Sequence, residues 1–197
     1  MEKILEEYID EFRTELDEIK SDYFKFEFNL SHLPDVVEYT KNSNIRKHDR
    51  FEKIFDTLEN LKTNCLYWFS VNSKEEANKL KHLISYNKNF LWSEDKTTCR
   101  ALPAENNNEN TTVIYVGVRK GSKAKKQKNT NISGRMVQHL GYYKEDRTQG
   151  LQLAYYTRDL DINMTLHLYS LYNCPDEYLY ILEKIFAKKL QPICGKH

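Results

Sequence analysis

One uninterrupted apolar segment, NCLYWFSV at residues 64–71, limits the possible folds more than any other part of the chain. A short, continuous apolar run that is rich in aromatic side chains is typical of a strand buried inside a sheet. A second strand is predicted at residues 112–119, which contain the sequence VIYVG. The chain is therefore expected to fold around a β-sheet in which residues 64–71 form a central strand.

The rest of the chain shows the periodicities of amphipathic elements. Apolar residues at helical spacing predict helices over residues 2–20, 50–62, 74–87, 133–143 and 175–190. Further apolar patterns predict strands over residues 24–30, 151–157 and 164–172. Ser73 and Glu76 have the spacing of a capping box, which marks the start of the helix over residues 74–87.

The order of these elements predicts an α/β (α+β) fold, with a small mixed β-sheet flanked by helices. Residues 1–63 are interpreted as an N-terminal helical appendage packed on a core formed by residues 64–197. Residues 72–111 are interpreted as an insertion between the two apolar strands. The polar stretch AENNNENTT at residues 104–112 is expected to be a mobile loop.

The composition excludes several classes of protein. The chain has 197 residues, of which 40% are hydrophobic and 30% charged, which is typical of a globular domain. No apolar run has the length of a membrane span, and the acidic, amphipathic N-terminal residues do not resemble a secretory signal. Four cysteines occur without a C-x-x-C pair, so we expect reduced thiols, no zinc site and a cytoplasmic location.

The charges are unevenly distributed, although the formal net charge is only +1. Residues 1–64 contain 10 Lys/Arg and 16 Asp/Glu, whereas residues 112–150 contain 9 Lys/Arg and 2 Asp/Glu. A basic segment within a nearly neutral protein favours an anionic partner, and a solvated loop is the structural alternative.

Five residues have side chains suited to chemistry. Tyr67 and Tyr115 lie inside the two apolar strands, and Arg135 and His139 share one face of a helix at i and i+4. Glu183 borders the apolar stripe of the last helix, where a carboxylate needs an ion-pair partner, a metal or a proton. Each residue taken alone has a structural explanation: a hydrogen-bonded buried tyrosine, a solvated helix face or a salt bridge.

Taken together, these residues resemble the GIY-YIG nuclease superfamily. The resemblance covers about residues 64–195, and the string GRMVQHLGYY is most similar to the restriction-endonuclease branch. The chain departs from the family pattern in the long spacer between the two strands. It also departs in Cys65, which stands where the first Gly is usual, and in Cys194 and Gly195, which stand where an Asn is usual. The matching positions are Cys65-Leu66-Tyr67, Tyr115-Val116-Gly117, Arg135, His139, Glu183 and Pro192.

The resemblance implies a metal-dependent DNA endonuclease that hydrolyses phosphodiester bonds, of the sequence-specific restriction or defence type. Glu183 would hold Mg²⁺ (or Mn²⁺), and Arg135 would bind two phosphate oxygens. Tyr67 would act as general base or proton relay, and His139 would orient a tyrosine hydroxyl or share the proton transfer. Tyr115 would position the water or the phosphate.

The implied partner is double-stranded DNA, and a homodimer is an open possibility because two-fold sites match two-fold proteins. Sequence readout is expected from the insertion and the N-terminal part. Phosphate contacts are expected from the basic segment that follows the second strand, namely Arg119, Lys120, Lys123, Lys125, Lys126 and Lys128.

Two other functions stay open at this point. One is a GIY-YIG-like nucleic-acid-binding module that has lost catalysis. The other is a protein-interaction domain that acts through the acidic N-terminal helix. RNA is an alternative substrate.

Overall fold

The computed structural model describes residues 2–36, 44–93, 100–121, 131–143 and 148–196. Helices and strands in these ranges form a mixed α and β architecture, which confirms the predicted fold class. The helices are α1 (Glu2–Asp17), α2 (Glu52–Asn60), α3 (Lys74–Ser93), α4 (Ile132–Leu140) and α5 (Asp176–Leu190). The strands are β1 (Lys20–Asn29), β2 (Asn64–Val71), β3 (Arg100–Ala101), β4 (Val113–Arg119), β5 (Thr148–Gln149) and β6 (Asn163–Tyr172).

The main sheet has four strands in the order β1-β6-β2-β4, and all of its pairings are antiparallel. Among the described residues, the two-residue strands β3 and β5 pair in parallel as a separate small sheet, and an isolated parallel bridge joins Tyr115 of β4 to Cys194. The sequence predicted a mixed sheet, whereas the four strands of the main sheet pair only antiparallel and the parallel contacts in the described part of the chain are limited to β3–β5 and this single bridge.

Strand β2 is an inner strand with apolar residues on both faces. Tyr67 and Phe69 are 0% exposed and belong to the larger core cluster, which also contains residues of α2, α3 and α4. Leu66 and Trp68 point to the opposite face and pack in a smaller cluster with residues of α5. Because helices cover both faces, the strand is continuously apolar rather than alternating, as the sequence predicted.

The N-terminal segment contributes directly to the main sheet. β1 pairs with β6 from Lys20 to Asn29, a ten-residue register. Helix α1 contacts α5 through the ring of Phe12, whose centroid lies 5.0 Å from that of Tyr178, and through a hydrogen bond from the Tyr178 hydroxyl to Glu15. The predicted division into an appendage and a core at residue 63 stays a prediction.

The predicted strand over residues 151–157 is wrong. A short 3-10 helix, Leu153–Tyr155, occupies this segment, and Gln152 before it adopts a left-handed backbone conformation with φ of 53°. Leu151 and Leu153 are both 0% exposed. Their alternation thus reflects burial within a turn, because a short apolar pattern does not by itself specify strand pairing.

The predicted loop over residues 104–112 lacks a helix, but its contacts do not indicate mobility. The side-chain amides of Asn106 and Asn108 donate to the carbonyl of Pro192, at 3.1 and 2.9 Å. The Asn106 backbone N–H donates to Ile193 O at 2.8 Å. The loop is therefore fastened to the segment that follows α5. The sequence suggested mobility because polar composition does not reveal which backbone groups asparagines bind.

The capping box at the start of α3 is confirmed. The Glu76 N–H donates to Ser73 Oγ at 3.1 Å, and Glu76 Oε2 accepts from the Ser73 N–H at 3.1 Å. The helix runs to Ser93, six residues beyond the predicted end at residue 87. Among the described residues, no helix combines the length and the apolar composition that a membrane crossing requires.

Candidate active site

Four of the five predicted site residues meet in one hydrogen-bonded network between β2, β4 and α4. The Tyr67 hydroxyl lies 2.9 Å from His139 Nε2 and 3.2 Å from Arg135 Nε. The Tyr115 hydroxyl lies 3.2 Å from Arg135 Nη2. The network thus joins residues that are far apart in the sequence, and Arg135 is its centre.

Local sequence signals place α4 over the sheet. The Asn131 side chain caps the helix by accepting from the Gly134 N–H at 3.1 Å, and Gly141 ends it with a φ of 98°. These two caps bound a helix of nine residues. Arg135 and His139, one turn apart, therefore both face the tyrosines of the strands.

Gly117 explains why the second motif contains a glycine. Tyr67 and Gly117 are partners in the β2–β4 register. A Cβ at position 117 would lie 2.7 Å from Tyr67 Oη and 2.8 Å from Tyr115 Cε1. Only a residue without a side chain lets both tyrosine rings occupy this space.

The proton on His139 can be assigned from its neighbours. The backbone N–H of Leu151 donates to His139 Nδ1 at 3.2 Å, so Nδ1 carries a lone pair. Burial lowers the pKa of His139 well below 6.5, and Arg135 lowers it further, so the ring is neutral. Its proton is therefore on Nε2 and is donated to the Tyr67 hydroxyl oxygen.

The Tyr67 oxygen consequently accepts from two N–H donors, one on His139 and one on Arg135. Burial raises the pKa of Tyr67, while the charge of Arg135 opposes this rise. Tyr67 is 0% exposed, whereas Tyr115 is half-buried. A direct base role for Tyr67, which the family resemblance implies, thus requires a rearrangement that brings water to its hydroxyl group.

Arg135 is held by backbone and side-chain acceptors as well as by the tyrosines. Its Nη1 donates to Gln138 Oε1 at 2.9 Å and to the Gln149 carbonyl at 2.6 Å. With the bonds to Tyr67 and Tyr115, four of the five N–H groups of the guanidinium are engaged within the described residues. One N–H on Nη2 has no acceptor among the described residues and is available to a ligand.

Glu183 lies on α5 and is half-buried. Burial raises the pKa of its carboxyl group, while the charges of Arg135 and Lys184 lower it. Burial is the main cause that raises the pKa of Tyr67 and of Tyr115, and the charge of Glu183 raises both a little further, so the carboxylate is close to the network. Within the described residues, Glu183 has no hydrogen bond and no ion pair.

These properties fit a weakly held divalent cation. Among the residues that the structure describes, no group of three His, Cys, Asp or Glu side chains forms a metal site. Mg²⁺ is nevertheless bound by one or two carboxylates together with water and substrate phosphate. A half-buried carboxylate without an ion-pair partner, such as Glu183, is a suitable protein ligand of this kind.

The basic residues of the predicted DNA surface divide into three groups. Arg119 is half-buried beside the network, where burial and the charge of Arg135 lower its pKa, and its charge lowers the pKa of Tyr67. Lys120 is exposed and forms an ion pair with Asp176 at 3.0 Å. The others lie outside the described residues: Lys123, Lys125, Lys126 and Lys128.

Sequence reasoning missed the groups that support the network. Gln138, the Gln149 carbonyl and the Leu151 N–H fix the orientation of Arg135 and His139. Only Gln138 left a signal, because it lies at i+3 from Arg135 on the same helix. Of the two backbone groups, the Leu151 N–H lies in the segment predicted as a strand over residues 151–157, and the Gln149 carbonyl lies two residues before it.

Cys65, which stands in place of the usual first glycine, is 1% exposed. Burial raises the pKa of its thiol to about 12, so the group is a protonated core residue and not a nucleophile. Cys174 and Cys194 are also buried and free of disulfides.

Comparisons of the chain with protein-family models, with curated proteins and with solved structures were made, and none of the three gave a match.

Proposed function

We propose that the protein is a metal-dependent endonuclease that hydrolyses phosphodiester bonds in DNA. One observation carries the proposal: Arg135 is close enough to Glu183 for its charge to lower the pKa of that half-buried carboxyl group, against the raising effect of burial, yet the two residues do not form an ion pair. A cation and an anion kept apart in this way leave room for a ligand that carries both charges. A phosphate with a divalent cation has this chemistry, with the phosphate next to Arg135 and the cation next to Glu183.

Arg135 binds the phosphate in this proposal. The free Nη2 N–H supplies one charge-assisted hydrogen bond, and the guanidinium charge stabilises the additional negative charge of the transition state. Bidentate binding, as the sequence suggested, requires Tyr115 to give up its bond to Nη2. Tyr115 would thus be displaced by the substrate and would then face the scissile phosphate.

Tyr67 and His139 keep Arg135 in place and prepare the site for proton transfer. The two N–H donors on the Tyr67 oxygen remain bonded when that oxygen is an anion, which favours ionisation once water and substrate reach it. His139 stays neutral because burial and the charge of Arg135 lower its pKa, and it donates from Nε2 because Nδ1 accepts from the Leu151 N–H. In the proposal, Tyr67 first loses its hydroxyl proton to solvent, and its phenolate oxygen then accepts a proton from the attacking water, which Tyr115 orients.

Glu183 supplies the metal ligand. A bound divalent cation would lower the pKa of a coordinated water and neutralise charge on the phosphate. The carboxylate of Glu183 would hold this cation, and its partial burial would make a charge-compensating cation more favourable.

The test compares cleavage of mixed plasmid and phage DNA with Mg²⁺ or Mn²⁺ by the wild type and by Glu183→Gln. Glu52→Gln is the matched control, because Glu52 is exposed on α2, outside the network. We expect cleavage by the wild type and the control, and none by Glu183→Gln. Discrete products would add sequence specificity of the restriction type.

Two results would contradict the proposal and favour another function. Salt-sensitive DNA binding without cleavage by any of the three proteins would indicate the catalytically inactive binding module. Neither binding nor cleavage would leave a protein-interaction domain as the function. The same assay with RNA of matched sequence shows whether the substrate is DNA or RNA.

A further inference from the structure

Helix α5 carries apolar residues on its outer face as well as on the face that packs on the sheet. Leu179 and Ala187 are buried against the sheet. On the outer side, Tyr180, Ile181 and Ile185 are 62%, 39% and 52% exposed. An amphipathic surface helix normally has polar residues on this side, so the exposed isoleucines need an explanation beyond the fold of one chain.

The charges on the same face have a directional order. Glu177 lies one turn before Ile181, and Lys188 lies one turn after Lys184, at the opposite end of the exposed face. The face thus begins with an acid and ends with a base, with isoleucines between them. Such a face is complementary to itself when two copies run antiparallel, and it opposes itself when they run parallel.

We infer that α5 pairs antiparallel with α5 of a second copy of this chain. The two-fold axis crosses the outer face of the helix midway between Ile181 and Ile185. This arrangement brings Ile181 of each copy beside Ile185 of the other. It also brings Glu177 of each copy near Lys188 of the other. The surface is isologous, so each contact occurs twice.

Lys184 does not oppose this pairing. Its ammonium lies 4.9 Å from the centroid of the Tyr180 ring, in a cation–π contact. Helical spacing puts Tyr180 on the flank of the outer face away from Ile185. The Lys184 charge is therefore held to one side of the isoleucine contact.

Helix α1 is the other occupant that the structure offers. Its Ile9 is 41% exposed, and the helix contains seven Asp/Glu and two Lys/Arg, so it also matches a lysine-bearing surface. Within its own chain, however, α1 contacts α5 at Tyr178. The α5 pair uses a single self-complementary surface and explains the order of Glu177 and Lys188, which an acidic partner helix does not.

The interface is small, because one pair of helices forms it. Interfaces at the low end of the size range are weak, so the dissociation constant of the dimer is expected in the micromolar range. The inference does not depend on the proposed nuclease activity, and its test needs no nucleic acid.

Sedimentation equilibrium of the full chain, from low micromolar concentration to the solubility limit, measures the association. We expect a monomer–dimer equilibrium for the wild type and a monomer for Ile185→Glu. Because Ile185 is exposed, the variant should fold, and its circular dichroism and melting temperature check this. A wild type that stays monomeric, or a dimer that Ile185→Glu does not weaken, overturns the inference.

Charge reversal tests the antiparallel arrangement itself. Glu177→Lys and Lys188→Glu should each weaken the dimer about tenfold, because each change places like charges together twice. The double variant restores opposite charges, so it should dimerise like the wild type. Lys79→Glu, an exposed residue of α3, is the matched control for net charge. Failure of the double variant to restore association would overturn the α5 pair and indicate α1 as the occupant.

Discussion

Tyr67 and Gly117 face each other across β2 and β4 so closely that a Cβ on residue 117 would lie 2.7 Å from the tyrosine hydroxyl oxygen. The glycine of the second motif is therefore a steric requirement of the tyrosine of the first. Because Tyr67 in turn accepts from His139 and Arg135, the position of the whole network depends on this contact.

Replacing Gly117 by Ala should displace the Tyr67 ring and destabilise the protein by about 1–3 kcal/mol, the usual cost of overpacking a core. Urea denaturation followed by tryptophan fluorescence measures the change. Combining Gly117→Ala with Tyr67→Phe removes the hydroxyl from the clash, so the two effects should be less than additive. Fully additive effects would show that the Tyr67 hydroxyl is not what the new methyl group meets.

Replacing Tyr67 by Phe should leave the N–H groups of His139 and Arg135 without their shared acceptor. A buried donor that loses its partner costs about 1–3 kcal/mol, so a loss of unfolding free energy in this range is expected. Tyr115→Phe is the matched control: it removes one acceptor of Arg135 at a half-buried position and should cost less. Equal losses for the two variants would contradict the central position of Tyr67.

The buried, neutral state of His139 should make stability depend on pH. Its pKa in the folded protein lies well below 6.5, so the unfolded chain binds more protons as the pH falls below that value. The contribution of His139 to the unfolding free energy should therefore be constant above the unfolded pKa and fall below it, with a slope of up to about 1.4 kcal/mol per pH unit.

Two variants show whether His139 causes the dependence of the unfolding free energy on pH. His139→Gln, whose amide can accept from Leu151 and donate to Tyr67, should reduce the slope by the contribution of one proton. His82→Gln, at an exposed position on α3, should leave it unchanged. An unaltered slope in His139→Gln would show that another group, such as the half-buried His167, causes the acid sensitivity.

The charged carboxylate of Glu183 should reduce the stability of the folded, metal-free protein. Burial raises the pKa of its carboxyl group, which means that the folded environment disfavours the charged form. In a chelating buffer at neutral pH, Glu183→Gln should thus melt at a slightly higher temperature than the wild type. Addition of Mn²⁺ should raise the melting temperature of the wild type only, because binding to the folded state alone stabilises it. A metal response that survives in the variant would place the cation elsewhere.

The sequence predicted the side chains of the candidate site better than the groups that hold those side chains in place. Tyr67, Tyr115, Arg135 and His139 lie on strands and a helix that strong local patterns define, and so their convergence was predictable once the motifs were combined. The contacts from Gln149 and Leu151 use backbone atoms, which no side-chain pattern reports. The same limitation explains the incorrect strand over residues 151–157, where burial in a turn produced an alternating pattern.

The charge pattern of the sequence indicated where basic residues lie relative to the site, but it did not indicate which ion pairs they form. The first residue of the basic segment, Arg119, does border the site, since it lies beside Arg135. Its neighbour Lys120, however, forms an ion pair with Asp176 at the start of α5, a contact that depends on the tertiary arrangement. Exposed ion pairs of this kind contribute little to stability, so Lys120 is still able to exchange Asp176 for a phosphate.

The pairing of β1 with β6 has a practical meaning for any shortened form of the protein. A chain that starts at residue 64 would lack β1 and would leave one side of β6 with a row of unpaired N–H and C=O groups along ten residues. Long, unprotected strand edges recruit other strands and cause aggregation. The N-terminal residues therefore protect the edge of β6 from pairing with other strands. Their removal should reduce the solubility of the protein before it affects activity.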